Sequence, residues 1–205
     1  MSRFLRDASP DEAQHASNLE LFYDLVFVFA VTQVSHLLLN DLTWLGAGKA
    51  LLVLLVVWWA WNYTTWVMNQ LDPNAVAVRL LVLAIMLASL VMAIAIPETF
   101  GSRALLFAGA YVAIQVGRHI FLTFVVADRD SAEREPALHI LIWFLASGVF
   151  WIAGGFAATG VQVTLWLIAL AIDYAAPLVL YRVPGRPKLE GSAWELETSH
   201  FAERF

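Results

Sequence analysis

Six stretches of about 20 mostly apolar residues, each long enough to cross a bilayer as a helix, constrain this chain more than any other feature. They run over roughly 19–39, 47–69, 79–96, 104–126, 137–157 and 161–181. Only 14% of residues are charged, where a soluble domain carries about 25%, and 60% are hydrophobic, with a mean hydropathy of +0.71. The expected fold is therefore all-α, a polytopic membrane protein of six transmembrane helices. In this division residues 1–18 form an N-terminal segment, 19–181 the transmembrane domain and 182–205 a second polar segment. The breaks have chemical causes: Leu71-Asp72-Pro73-Asn74 and Pro97 with Gly101-Ser102 are turn signals, and 127–136 is the most charged run and closes on Pro136. The first 18 residues lack the apolar core of a signal peptide, so the first span is expected to serve as the targeting signal.

Orientation follows from where Lys and Arg lie rather than from the formal net charge of −5. With the N-terminus inside, Arg3, Arg6, Arg79, Arg129, Arg134, Arg182, Arg186, Lys188 and Arg204 are cytoplasmic, against Lys49 and Arg103 outside. Arg118 lies within the fourth span. This bias predicts both termini in the cytoplasm.

Charged residues inside spans are costly and point to function or to a paired structural role. Ser17-Asn18-Leu19-Glu20 matches a capping box, so Glu20 either caps the first helix or joins a functional site. Asp24 lies beyond capping range. Glu20, Asp24, Thr32, Ser35 and His36 share one broad arc of the first helix, which is expected to face other helices or a hydrated cavity. With span centres near residues 29, 115 and 171, a rise of 1.5 Å per residue puts Asp24 about 7–8 Å, Arg118 about 4–5 Å and Asp173 about 3 Å to the cytoplasmic side. Arg118 is thus the expected counter-charge for Asp24, Asp173 or both, with Gln115 and His119 on adjoining turns. For each residue taken singly, the pairing reads first as a static lock holding three helices together and second as part of a transport pathway.

In the second span, Trp58, Asn62, Thr65, Trp66 and Asn69 form a semi-polar stripe, either bundle packing or a pathway wall. Gly109, Gly117, Gly148, Gly154 and Gly155 are expected to be close-packing positions between helices. The chain has no cysteine, which excludes disulfides and thiol chemistry. No metal, nucleotide or nucleophile motif occurs, so neither cofactor, metal, nucleic-acid partner nor enzymatic activity is expected.

ELFYDLVFVFAVTQVSHLL at 20–38, WWAWNYTTW at 58–66, LDP at 71–73, AIPETFG at 95–101 and YVAIQVGR at 111–118 together resemble the bacterial low temperature requirement A (LtrA) family. Glu20, Phe22, Asp24, Phe27, His36, Trp58, Trp61, Asp72, Pro73, Arg79 and Arg118 carry the match. The resemblance implies a polytopic inner-membrane protein and brings no reaction or substrate. It also implies a further set of spans after HFAERF at 200–205, so a truncated chain is expected, working as a homo-oligomer or paired with a second six-helix half. Glu203-Arg204-Phe205 echoes Glu20-Leu21-Phe22, as a parallel repeat would. A fainter similarity links FYDLVFVFAVT at 22–32 to the F-S-D-x-V-F-x-I-A-x-T opening of two-repeat, six-helix lysosomal and prokaryotic potassium channels, with Tyr23 where those have serine. Transport or a channel for an ion or small solute is the leading expectation. The alternatives are a structural protein supporting growth in the cold or a membrane-embedded enzyme.

Overall fold

The computed structural model describes residues 18–72, 74–127 and 134–183, with side chains from residue 21 onward. It contains α1 (Asn18–Asn40), α2 (Trp44–Gln70), α3 (Val76–Ala95), α4 (Ala104–Phe121), α5 (Arg134–Phe156) and α6 (Thr159–Leu178). A 3-10 turn, Ile96–Glu98, follows α3, and a π-helical segment, Leu122–Val126, extends α4. All six helices are long and apolar enough to cross a membrane.

The helix ends are chemically legible. Thr43 caps α2 by accepting from the Gly46 amide at 3.1 Å, and donates to Asp41 at 2.7 Å. A side chain at Gly46 would collide with the Asp41 backbone, so the α1–α2 turn needs glycine there. Before α3, the Asp72 carboxylate accepts from the Asn74 amide at 2.9 Å, an Asx turn that lets the helix begin at Val76. Pro136 falls in the first turn of α5, where its missing N–H costs nothing, so that helix starts at Arg134 rather than after the proline. After Pro177, Leu180 and Tyr181 take positive φ values of 53° and 48° and end α6.

The helices pack in the order α2–α1–α3–α4–α5–α6, with α2 also reaching α4 and α6. In lipid, apolar burial does not drive helices together; close packing and polar contacts do. Gly154 admits the Trp166 ring to 2.5 Å from where a Cβ would stand, Gly155 meets the Leu105 backbone at 3.0 Å, and Gly148 meets Val112 at 3.4 Å. The α4–α5–α6 half is therefore tightly fitted. The glycine expectation needs one correction: a Cβ at Gly109 or Gly117 would meet nothing within 4 Å, and Gly109 lines an open groove with Ala84, Leu87, Ala88 and Val91 of α3.

Candidate functional site

The buried face of α4 carries Tyr111, Gln115 and Arg118, spaced four and three residues apart and so stacked along one side. From it a hydrogen-bonded chain runs across the bundle. The Arg118 guanidinium donates to Gln115 Oε1 and, at 2.6 Å, to Thr64 Oγ1 on α2. Gln115 Nε2 donates to the Tyr111 hydroxyl at 3.1 Å, and that hydroxyl donates to Asp173 Oδ2 on α6 at 2.8 Å. The Trp151 indole of α5 donates to the same carboxyl oxygen at 3.1 Å. Four helices meet in this relay.

Its two charged side chains are withdrawn from solvent: Arg118 is 0% exposed and Asp173 2%. The guanidinium also lies over the Tyr63 ring, 5.3 Å from its centroid, and near that of Phe144 at 6.0 Å. Such cation–π contacts are stronger in a desolvated site and partly offset the cost of burying the charge. Two atoms stay open, since Arg118 Nε and Asp173 Oδ1 have no hydrogen-bond partner among the described residues. His119 sits beside Arg118, its Nδ1 donating to the Gln115 carbonyl at 2.8 Å and its Nε2 unpartnered. Immediately beyond it the backbone widens into the π segment, where the Leu122 amide is shared between the Arg118 and His119 carbonyls. Such bulges often mark functional sites. Among the described residues no three His, Asp or Glu side chains gather closely enough to hold a metal ion.

The expected ion pairs are corrected by this geometry. No ion pair joins Arg118 to Asp24 or Asp173 among the described residues; Gln115 and Tyr111 stand between Arg118 and Asp173. Asp24 is elsewhere. Helix α1 turns Tyr23, Phe27, Ala30 and Val34 inward and leaves Asp24, Thr32, Ser35 and His36 exposed, so its polar arc faces out of the unit. It packs on α2 and α3 rather than α4, which removes Asp24 from Arg118. Asp24 Oδ1 instead accepts from the Trp61 indole at 2.9 Å. The hydroxyls of Thr32 and Ser35 bond back to the carbonyls of Val28 and Val31. The Glu20 side chain and the Ser17 cap lie outside the described residues.

Sequence reasoning passed over Tyr111, Thr64 and Trp151. The spacing of Tyr111, Gln115 and Arg118 on one face of α4 was the available signal for the first.

Comparison with known proteins agrees with this architecture. The family described as Bacterial low temperature requirement A protein (LtrA) matches residues 15–205. A curated relative from Rhizobium meliloti (strain 1021), uncharacterized protein RA0937, is 40% identical over 203 residues. That alignment covers 99% of this chain and 49% of the relative, so the chain spans about half the relative's length. No solved structure gives a significant match. With nearly its whole length matched in both comparisons, the chain belongs to the bacterial low temperature requirement A family.

Proposed function

We propose that the protein moves an ion or small solute across the bacterial inner membrane, with Arg118, Gln115, Tyr111 and Asp173 as the working groups. The observation that carries this reading is the pair of buried charges held apart by neutral side chains, each with one unpartnered atom. Burying an ion costs several kcal/mol even after relaxation, and a direct pair recovers more of that than a spaced one. A purely structural lock gains nothing from the spacing. A site that must exchange partners with a passing ion or polar solute does. The unsatisfied Nε and Oδ1 are the atoms such a species would meet, and the π segment next to Arg118 supplies a locally weakened backbone. The count of basic residues supports both flanking segments on the cytoplasmic side.

A second reading is favoured by the number of helices involved. The relay ties α2, α4, α5 and α6, as a stabilising element for growth in the cold would. Vesicles reconstituted with the protein separate the two. Under the transport reading they dissipate an imposed gradient of at least one cation, anion or zwitterion faster than protein-free vesicles. Equal leak for every species tested would leave only the structural reading.

A further inference from the structure

We propose that, in this conformation, water and solute reach Arg118 and Asp173 from one end of the bundle only, where α4 and α6 finish, and that Trp166 with its aromatic neighbours is the closed gate at the other. The inference rests on the reading of the two charges as a transport site and names its open side. The first observation is the sealed end. The rings of Phe100 and Phe107 lie 5.7 and 5.5 Å from that of Trp166. Trp166 in turn meets Trp151 at 5.4 Å, and Trp151 meets Tyr111 at 5.0 Å. Phe107, Trp151 and Trp166 are wholly buried. Trp166 precedes Asp173 on α6 by about 10 Å at 1.5 Å per residue, so the stack lies over the site on that side. The Trp166 indole donates to the Trp151 carbonyl at 3.0 Å, and Gly154 leaves the space that its ring fills. Gln162 Nε2 donates to the Thr99 carbonyl at 2.8 Å and ties down the turn that carries Phe100.

The second observation is the chemistry of the opposite end. Arg118 Nε, His119 Nε2 and Thr123 Oγ1 follow one another along α4 and its π segment, all buried and none with a hydrogen-bond partner among the described residues. His119 and Arg118 flank the same two rings: the imidazole lies 4.9 Å from Phe144 and 6.1 Å from Tyr63. Both therefore face the space between α4, α2 and α5. Ser89 and Thr99 also carry unpartnered hydroxyls, but on α3 and the turn after it, outside the helices that hold the two charges. A buried polar group without a hydrogen bond is costly, whereas an aromatic stack gains little from hydration. Admitting water where α4 finishes satisfies three such groups, and admitting it past Trp166 satisfies none of them.

Third, each helix that holds a charge loses regular backbone bonding one turn beyond it, toward the same end. On α4 the π segment begins at Leu122, four residues after Arg118. On α6 Pro177 lies inside the helix, four residues after Asp173, and has no N–H to offer the Asp173 carbonyl. Irregular backbone at membrane depth is tolerated where it is buried in protein or lines water, and π bulges and prolines are where helices bend. Helices α4 and α6 can therefore splay at this end while the aromatic stack holds their other ends together. On the count of basic residues the opening end is cytoplasmic.

The chain has no native cysteine, so Thr123→Cys and Ser147→Cys can each be reacted with a small charged thiol reagent from one side at a time, in right-side-out and inverted membrane vesicles. Ser147 is buried on α5 beside the Asp173 carboxyl. Single cysteines at Ser131 and Gly101, on the α4–α5 and α3–α4 connections, mark the two sides. Both test cysteines should react several-fold faster from the Ser131 side than from the Gly101 side. In the Ser147→Cys background, Trp166→Leu should raise the rate from the Gly101 side several-fold and leave the other rate unchanged, with Phe107→Ala in its place if that variant does not fold. Labelling reads access of water and not flux, so the gate and the transport reading can fail separately. Equal rates from the two sides, faster reaction from the Gly101 side, no reaction from either, or no effect of the gate variants would each overturn the proposal.

Discussion

Replacing Tyr111 by Phe removes one oxygen from the centre of the relay and leaves the ring in place. That hydroxyl donates to Asp173 at 2.8 Å and accepts from Gln115 at 3.1 Å, and Tyr111 is wholly buried. A hydrogen bond to a charged group contributes about 1.5–3 kcal/mol in soluble proteins, whereas polar contacts between membrane helices average about 0.6 and reach about 1.7 kcal/mol. The membrane figures are lower because the unfolded helices find other partners. Here one substitution breaks two bonds: the Gln115 amide loses its acceptor, and Asp173 Oδ2 keeps only Trp151. The expected loss is therefore near the upper membrane value, about 2 kcal/mol. At about 2–4 °C per kcal/mol for a chain of this size, melting in detergent should fall by roughly 4–8 °C. Tyr111→Leu should fall further, because it also forfeits the edge contact with Trp151 at 5.0 Å. Combining Tyr111→Phe with Asp173→Asn should cost less than the sum of the two, as expected for groups sharing a bond. A Tyr111→Phe protein melting within about 1 °C of the parent, on that same scale, with strictly additive double-variant behaviour, would refute the relay as a coupled unit.

Gly154→Ala should destabilise by about 1–3 kcal/mol through overpacking, because its Cβ would stand 2.5 Å from the buried Trp166 ring. Gly109→Ala, with nothing within 4 Å, should leave the melting temperature unchanged. For topology, a cysteine at Gly101 should react with an impermeant thiol reagent in intact cells and one at Ser131 should not. The reverse pattern would invert the orientation drawn from the basic residues.

The six helices were legible because their signals are one-dimensional. An apolar run of bilayer length and a Pro, Gly or charged break suffice, and the α4 span with its π segment, 104–126, coincides with expectation. Differences arose where a local motif extended a helix past its apolar run, at the Asx turn before Val76 and at Pro136 in the first turn of α5. For the site, sequence spacing gives an expected depth for each charged residue and leaves its azimuth open. A fixed rise per residue gives an expected distance of Asp24, Arg118 and Asp173 from the span centres, but which helix each faces depends on packing order. Because α1 docks on α2 and α3, Asp24 meets Trp61 while Arg118 turns to Thr64 and Gln115. Asp24, Thr32, Ser35 and His36 share an exposed face of α1, yet polarity alone does not distinguish the inside of one unit from its outer face. Only the inward set Tyr23, Phe27, Ala30 and Val34 makes that distinction.

The central claim is that the spaced charges of Arg118 and Asp173 serve passage across the membrane and not stability alone. Flux through reconstituted vesicles, measured beside melting temperature for Asp173→Asn and Arg118→Gln, tests it most directly. Both substitutions remove charge; Asp173→Asn also keeps shape and can still accept from Tyr111 and Trp151 through its amide oxygen. The expected result is flux reduced at least tenfold, which is about 1.4 kcal/mol on the rate-limiting barrier, in proteins that remain folded and inserted. Undiminished flux in both folded variants, or flux lost only in proportion to folded protein, would contradict the account.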